Sequence, residues 1–294
     1  MTSNIGFIGL GTMGEPMARN LQRAGKALFV NDIRPDAGEA LCGNGAVWVS
    51  DYAAMREHAD VVVTSLPGPK EIEQVAFGDN GLISILGSGA LWIDTSSNSV
   101  SLARRLASAC AEKGSAFVDA PVTGGAVGAR DGSLTIMAGG EHADIDRAKE
   151  VLEIIGGNIV HTGTAATGCA MKLVLNFLSI STTGLVAEAL TIGRSSGLSL
   201  ETILAVLTGG YGDSVVLHDT IACAKDTRKW EFAGSLARKD VALAVELAKD
   251  MQLMCDYGEL TVRLLDECLS EPGALDDVWT MVEAYEKRAN LKIA

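Results

Sequence analysis

The three glycines of a GxGxxG motif, complete by residue 14, constrain this chain more than any other feature. Asn4-Ile5-Gly6-Phe7-Ile8 reads as a short apolar strand, it runs directly into Gly9-Leu10-Gly11-Thr12-Met13-Gly14, and a helical pattern follows over Pro16–Ala24. In the order strand, GxGxxG, helix, each glycine has a physical task. The first permits a tight turn, the second lets the backbone approach a pyrophosphate, and the third lets helix and strand pack closely. The helix then offers its N-terminal N–H groups and the positive end of its dipole to the phosphates. The expectation is a dinucleotide site at the very start of the fold.

The second strand pattern, Ala27–Asn31, ends at Asp32, close to the offset of roughly 20 residues at which an acidic side chain meets the adenosine ribose hydroxyls. A carboxylate there repels a 2′-phosphate and favours NAD. Arg34, two residues on, carries a guanidinium that can swing toward such a phosphate, so NADP stays open. Further strand patterns lie at Val47–Val49, Val61–Leu66, Leu91–Ile93, Phe117–Val118, Leu134–Ala138 and Asn158–His161, with helical stretches such as Tyr52–His58, Lys70–Val75 and Ser101–Lys113 between them. This alternation implies a doubly wound, Rossmann-type parallel sheet, in which ligands sit beyond the carboxyl ends of the strands. Three strand ends become candidates: Leu66-Pro67-Gly68-Pro69, Asp94-Thr95-Ser96-Ser97, and Asp119-Ala120-Pro121-Val122-Thr123-Gly124-Gly125. The third joins a hydroxyl to two glycines, whose exposed N–H groups can form a concave anion site.

From Gly163 the character of the chain changes, and every long pattern reads as helix. Lys172 and Asn176 stand four residues apart among Leu173, Val174, Leu175, Phe177 and Leu178, so on a helix they share one face. A buried ammonium is expensive unless it has partners or a task. Cys169, one turn earlier, reads as a small buried residue, and His161 as a structural hydrogen-bonder. After Gly197, helices are expected over Leu200–Leu207, Ser214–Ala224, Leu236–Met254, Leu260–Leu269 and Asp277–Arg288, interrupted by Gly209–Ser214, which reads either as an ordinary helix–helix connection or as a loop that closes over a substrate. Phe232 is placed at the mouth of the cleft. The expected division is a nucleotide-binding domain over 1–163 and an all-α domain over 164–294, opened by a long interdomain helix and serving substrate specificity and subunit contact. Two domains also suit a length of 294 residues, given about 150 residues per domain.

Composition removes several function classes. The formal net charge of −13 repels a phosphate backbone on average, so no nucleic-acid partner is expected. The six cysteines are scattered without CxxC or metal spacing, which suits reduced thiols in a cytoplasmic protein without a metal. The first strand pattern begins at Ile5, so no signal peptide is expected. The apolar stretch Met171–Ile192 is broken by Lys172, Asn176, a Ser/Thr cluster and Glu188, and reads as a core helix rather than a membrane span.

Four pieces of the chain together resemble the β-hydroxyacid dehydrogenase family, which includes 3-hydroxyisobutyrate dehydrogenase and tartronate semialdehyde reductase: FIGLGTMGEPMARNL from Phe7, DAPVTGG from Asp119, GCAMKLVLN from Gly168 and ARKD from Ala237. The likeness spans essentially the whole chain and implies a C-terminal domain like that of 6-phosphogluconate dehydrogenase. It implies that Gly9, Gly11, Thr12, Met13 and Gly14 hold the pyrophosphate, that Asn31 and Asp32 meet the adenosine ribose, and that Leu66, Pro67, Ser96 and Ser97 line the rest of the cofactor cleft. Thr123, Gly124 and Gly125 would bind a substrate carboxylate, with threonine where the family usually has serine. Lys172 would be the catalytic lysine, Asn176 its companion on the substrate, and Lys239 a second lysine reaching the cofactor cleft.

The chemistry fits these roles. Oxidising an alcohol needs a hydride acceptor, supplied by the cofactor, and a proton acceptor, supplied by the protein. Lysine titrates near 10.4 when free, and desolvation or a neighbouring cation such as Lys239 lowers it toward a useful base. The expected protein is an NAD(P)-dependent oxidoreductase that interconverts a small β-hydroxyacid and its semialdehyde or keto form, working as a homodimer or homotetramer. The alternatives are a reductase of another small carbonyl or imine, such as succinic semialdehyde, and a non-catalytic nucleotide-binding regulator; the lysine argues against both.

Overall fold

The computed structural model describes residues 4–225, 232–274 and 276–294. The chain divides into two compact units, Met1–Lys172 and Leu173–Ala294.

The first unit is built on one sheet of nine strands: β1 (Ile5–Ile8), β2 (Leu28–Asn31), β3 (Val47–Trp48), β4 (Val61–Thr64), β5 (Leu91–Asp94), β6 (Ala116–Asp119), β7 (Val122–Thr123), β8 (Leu134–Gly139) and β9 (Gly156–Gly163). Their spatial order is β3-β2-β1-β4-β5-β6-β8-β7, with β9 on the other side of β8. The first six run parallel. Strands covered on both faces should be apolar along their length rather than alternating. Accordingly Ile5, Phe7, Val63, Leu91, Trp92 and Ile93 are fully buried.

Helices α1 (Gly14–Arg23), α2 (Glu39–Cys42), α3 (Tyr52–His58), α4 (Pro69–Phe77), α5 (Leu82–Ile85), α6 (Val100–Glu112), α7 (Gly125–Asp131) and α8 (His142–Ile155) complete this unit. Met17, Ala18 and Leu21 of α1 are fully buried on one face, as helical periodicity requires. The Asp51 carboxylate accepts the Ala54 N–H and starts α3, and the Ser99 hydroxyl accepts the Leu102 N–H and starts α6. From β1 the chain builds outward through β2 and β3, then returns to add β4, β5 and β6 on the other side. The switch point therefore lies between the carboxyl ends of β1 and β4, where an open α/β sheet binds its ligand. The GxGxxG loop and Leu66-Pro67 leave the sheet at those two ends.

Beyond β6 the sheet departs from simple winding. β8 runs antiparallel to both β6 and β7, and β9 runs parallel to β8. The two-residue strand β7 and helix α8 are additions to the sequence expectation. The α8 face Ala148, Val151, Leu152 and Ile155 belongs to the core.

The second unit holds most of α9 (Thr167–Ser195), then α10 (Leu200–Leu207), α11 (Val215–Ala224), α12 (Gly234–Asp250), α13 (Asp256–Ser270) and α14 (Thr280–Ala289). By length and composition α9 is long and apolar enough to cross a membrane, yet it supplies core residues here. Ile180 packs with Ala237, Val241 and Leu265 of α12 and α13, and Ala187 and Leu190 pack with Ile203, Leu217 and Ile221 of α10 and α11. The expected helix to Met254 stops at Asp250. There Gln252 takes a left-handed φ of 58°, and the N–H groups of Gln252 and Leu253 fold back to the Lys249 and Ala248 carbonyls, a closure that ends a helix. Helix α13 consequently begins four residues before the expected Leu260. Phe232 packs against the α12–α13 core.

Candidate active site

The phosphate loop is fixed by contacts that distinguish its three glycines. Gly9 has a φ of 93°, and a Cβ there would lie 2.2 Å from the Ser65 carbonyl oxygen. A Cβ on Gly14 would lie 1.9 Å from the Gly9 carbonyl oxygen. Both glycines are thus demanded by the fold itself. Gly11 differs: a Cβ there would meet nothing within 4 Å. Its missing side chain relieves no clash and instead keeps clear the space above the first turn of α1. Thr12 is exposed beside it, while Met13 packs against the core. This cradle fits a pyrophosphate, received by backbone N–H groups.

At the end of β2, Asp32 closes the loop. Its Oδ2 accepts the Leu10 N–H at 2.7 Å, its Oδ1 accepts the Arg34 N–H at 2.9 Å, and the Arg34 Nε lies 3.5 Å from Oδ1. The carboxylate is held in place, with lone pairs left for ribose hydroxyls. The Asn31 amide instead donates to the Val49 carbonyl at 2.8 Å, tying β2 to the end of β3.

Ser96 is likewise a strut. Its hydroxyl donates to Asp94 Oδ1 at 2.6 Å and accepts the Leu66 N–H at 2.9 Å, so it binds the ends of β4 and β5 together. Thr64 donates to the same Asp94 oxygen and accepts from the Trp92 indole. Burial pushes the Asp94 carboxyl upward, against these hydrogen bonds. Ser97, half-buried, follows, and Leu66-Pro67 opens the neighbouring loop.

The carboxyl end of β6 organises the remaining candidates of the first unit. Asp119 is fully buried. Its Oδ1 accepts the Ala166 N–H at 2.6 Å and its Oδ2 accepts the Cys169 N–H at 2.7 Å, so both oxygens cap the start of α9. Burial outweighs these bonds and pushes the Asp119 carboxyl up to about 6. Gly139 and Gly168 permit the approach, since a Cβ on either would lie within 3 Å of an Asp119 carboxylate oxygen. Cys169 is buried, and burial together with the Asp119 charge drives its thiol well above the ordinary range. One turn on stands Lys172, half-buried. In the other direction, three residues after Asp119, the chain enters β7 and Thr123. Gly124 and Gly125, both exposed, then take φ of 127° and 64° at the start of α7. Thr123 to Gly125 and the helix bearing Lys172 are thus tied to one strand end.

In the second unit Asn176 is buried, and its Nδ2 donates to Asp240 Oδ2 at 2.5 Å. The Lys239 Nζ lies 3.0 Å from Asp240 Oδ1. An ionised carboxylate only accepts, so the Asn176 amide must present its NH₂ to Asp240 and leave Oδ1 as an acceptor. His161 is structural: its Nε2 sits 2.9 Å from both the Gly140 and Gly163 carbonyls.

Comparison with known proteins follows this geometry. Residues 4–163 match the NAD binding domain of 6-phosphogluconate dehydrogenase, and residues 166–285 match the NAD-binding domain of NADP-dependent 3-hydroxyisobutyrate dehydrogenase. The chain belongs to the β-hydroxyacid dehydrogenase family. It is 35% identical over 291 residues to the 2-hydroxy-3-oxopropionate reductase of Escherichia coli K12, covering 99% of each chain. It is 32% identical over 294 residues to the 2-(hydroxymethyl)glutarate dehydrogenase of Eubacterium barkeri, covering 99% of this chain and 97% of that one. Among solved structures, a 3-hydroxyisobutyrate dehydrogenase of Mycobacterium tuberculosis with L-serine superposes with a TM-score of 0.88 at 28% identity, covering 97% of this chain and 99% of that one.

Two residues that hold candidate groups in place, one in each unit, escape the sequence reading. Asp119 enters it only as the first residue of a strand-end motif, and Asp240 as the last residue of the ARKD segment. A signal for Asp240 did exist. It falls in the buried stripe Ala237, Asp240, Val241 and Val245 of α12, and a carboxylate in an apolar stripe requires a partner.

Proposed function

We propose that this NAD(P)-dependent hydroxyacid dehydrogenase acts on a small acid of the form HOCH₂–CHR–COO⁻ and interconverts it with its semialdehyde. The observation that carries the reading is the double capping of α9 by Asp119, which ties the lysine-bearing helix and the Thr123-Gly124-Gly125 segment to one strand end. The compound names of the relatives support the substrate class. Each describes an acid whose alcohol or aldehyde carbon is attached to the carbon bearing the carboxyl group.

The nicotinamide cofactor supplies the hydride acceptor or donor. Gly9, Gly11, Thr12, Met13 and Gly14 would hold its pyrophosphate, Asp32 its adenosine ribose, and Leu66, Pro67 and Ser97 the remaining wall, with Asn31 and Ser96 acting behind them as braces. We assign NAD as the preferred form, because Asp32 presents a fixed carboxylate where a 2′-phosphate would have to sit. The N–H groups of Gly124 and Gly125, with the Thr123 hydroxyl, would take the substrate carboxylate. Lys172 would accept the alcohol proton during oxidation and return it to the carbonyl oxygen during reduction. Asn176, its NH₂ directed to Asp240, would accept a hydrogen bond from the reacting hydroxyl through Oδ1. Lys239, drawn to Asp240, would add positive charge on the cofactor side.

Lys172→Ala tests the mechanism. Turnover should fall by roughly 10²–10⁴-fold, the usual contribution of a general acid or base, while NAD affinity survives. Unchanged turnover would remove Lys172 from the chemistry. A panel of 3-hydroxyisobutyrate, serine, glycerate and 3-hydroxypropionate, offered with NAD and NADP separately, names the acid by the appearance of reduced nicotinamide, whereas a preference for threonate or 4-hydroxybutyrate, which lack the HOCH₂–CHR–COO⁻ form, would overturn the substrate class.

We also infer a homodimer or homotetramer in the cytoplasm. Val174, Leu178, Leu185 and Ile192 of α9 are each more than half exposed and recur at helical spacing, an apolar stripe suited to a second copy of the chain. The free cysteines suit a reducing compartment. Placing glutamate at both Leu178 and Leu185 should shift sedimentation toward monomers, and an unchanged sedimentation coefficient would locate the interface elsewhere.

A further inference from the structure

The first unit carries a second feature that neither the hydride chemistry nor the substrate carboxylate uses. Helices α1 and α7 lie side by side, joined by the Asn20 amide donating to the Ala129 carbonyl at 2.9 Å. Between them opens a groove of 660 Å³, lined by Arg19, Arg23, Arg34 and Arg130 together with Gly11, Thr12 and the Glu15 carboxylate. That volume lies in the range of small-ligand sites.

The four guanidinium groups come from three separate places in the chain. Arg19 and Arg23 are one turn apart on α1, Arg130 ends α7, and Arg34 follows β2. A chain of net charge −13 repels anions overall, so this is a local reversal of its field. The partners of the four differ. Arg19 is paired with Glu15, and Arg34 lies near Asp32. Arg23 and Arg130 make no ion pair and no side-chain hydrogen bond among the described residues. Each stands at a helix C-terminus, where a cation is favourable on its own. The dipole explains one arginine per helix end but not the sharing of one groove with two further arginines.

We propose that this groove is a binding site for a phosphorylated small molecule other than the nucleotide cofactor. Guanidinium groups match phosphoryl oxygens with paired N–H donors, and Arg23 and Arg130 have all theirs available. Cofactor phosphates would be received at Gly11 and Thr12, which line the same groove, so a second phosphorylated ligand bound at Arg23 and Arg130 would lie next to the cofactor loop and would tune cofactor affinity. The proposal does not depend on which hydroxy acid is turned over.

Inorganic tripolyphosphate serves as the test ligand, titrated calorimetrically into protein saturated with NAD. Binding is expected in the wild type and should weaken at least ~10-fold in the Arg23→Ala/Arg130→Ala double variant, the loss of about 1.4 kcal/mol or more. Both side chains are exposed, so thermal unfolding and NAD affinity of the variant should match the wild type. Three outcomes overturn the proposal: no tripolyphosphate binding at millimolar concentration, binding unaffected by the double variant, or binding abolished by saturating NAD. A fourth does as well: competition with NADP that is lost in Arg34→Ala while the double variant binds normally, which would make the groove the seat of the cofactor's own 2′-phosphate.

Discussion

The backbone N–H of Cys169 lies 2.7 Å from Oδ2 of Asp119, and through that bond the sheet fixes the helix that carries Lys172. The Asp119 carboxyl is pushed up to about 6 by burial, from an ordinary value of 3.8. A raised folded-state value means the folded protein binds this proton more tightly than the unfolded chain. The contribution to stability is therefore fully present below about pH 3.8 and is lost as pH rises through about 6, a change of roughly 3 kcal/mol for about two units. Asp119→Asn removes this titration and sets an amide NH₂ against one of the two backbone donors. The variant should be less stable throughout, and its deficit relative to wild type in urea unfolding should shrink from pH 5 to pH 7.5. A deficit that grows with pH would show that Asp119 titrates low instead.

Gly11 and Gly14 allow a contrast within one loop. A methyl on Gly14 would sit 1.9 Å from the Gly9 carbonyl oxygen, whereas one on Gly11 meets nothing within 4 Å. Gly14→Ala should therefore lower stability by several kcal/mol, as overpacking against backbone does. Gly11→Ala should melt like the wild type yet bind NAD at least ~10-fold more weakly, because its methyl intrudes where the pyrophosphate approaches. Equal cofactor affinity in Gly11→Ala and wild type would mean that the phosphates lie elsewhere.

Cofactor choice rests on Asp32, whose oxygens accept the Leu10 and Arg34 N–H groups. Asp32→Ser keeps an acceptor for the loop and removes the charge, leaving the Arg34 guanidinium unopposed. The ratio of kcat/KM for NADP over NAD should rise by ~10-fold or more, on the order of one lost unfavourable charge contact. An unchanged ratio would assign discrimination to another part of the groove.

How far the sequence discloses this protein depends on whether the information is local. GxGxxG, Lys172 and Asn176 are legible because each is a departure from its immediate neighbours: glycines where a strand meets a helix, polar groups in an apolar helix. The role of Asp119 is not, since its partners Ala166 and Cys169 are 47 and 50 residues away, and only the folded sheet brings them to β6. Asn31 and Ser96 show a subtler limit. Their position at strand ends is readable, but the direction of the side chain is not, and both are turned onto the protein's own backbone and carboxylates. Strand direction is invisible in the same way, because periodicity is identical for the parallel β6 and the reversed β8.

Asp240 reaches Asn176 across 64 residues of chain, and the pair supplies the last prediction. The Asn176 NH₂ is held by one oxygen of Asp240 while the Lys239 Nζ lies 3.0 Å from the other. In Asp240→Asn the second amide can donate as well as accept, so Asn176 is free to turn over and its Oδ1 is no longer directed. Losing a hydrogen bond to a charged group is worth about 1.5–3 kcal/mol, so kcat should fall by roughly 10–100-fold with NAD affinity retained. Asn176→Ala should produce a comparable loss. If Asp240 acts through Asn176, the double variant should be scarcely worse than either single one, because the second substitution removes an interaction already gone. Losses that multiply would mean that the two residues act separately, and that Asp240 serves Lys239 alone.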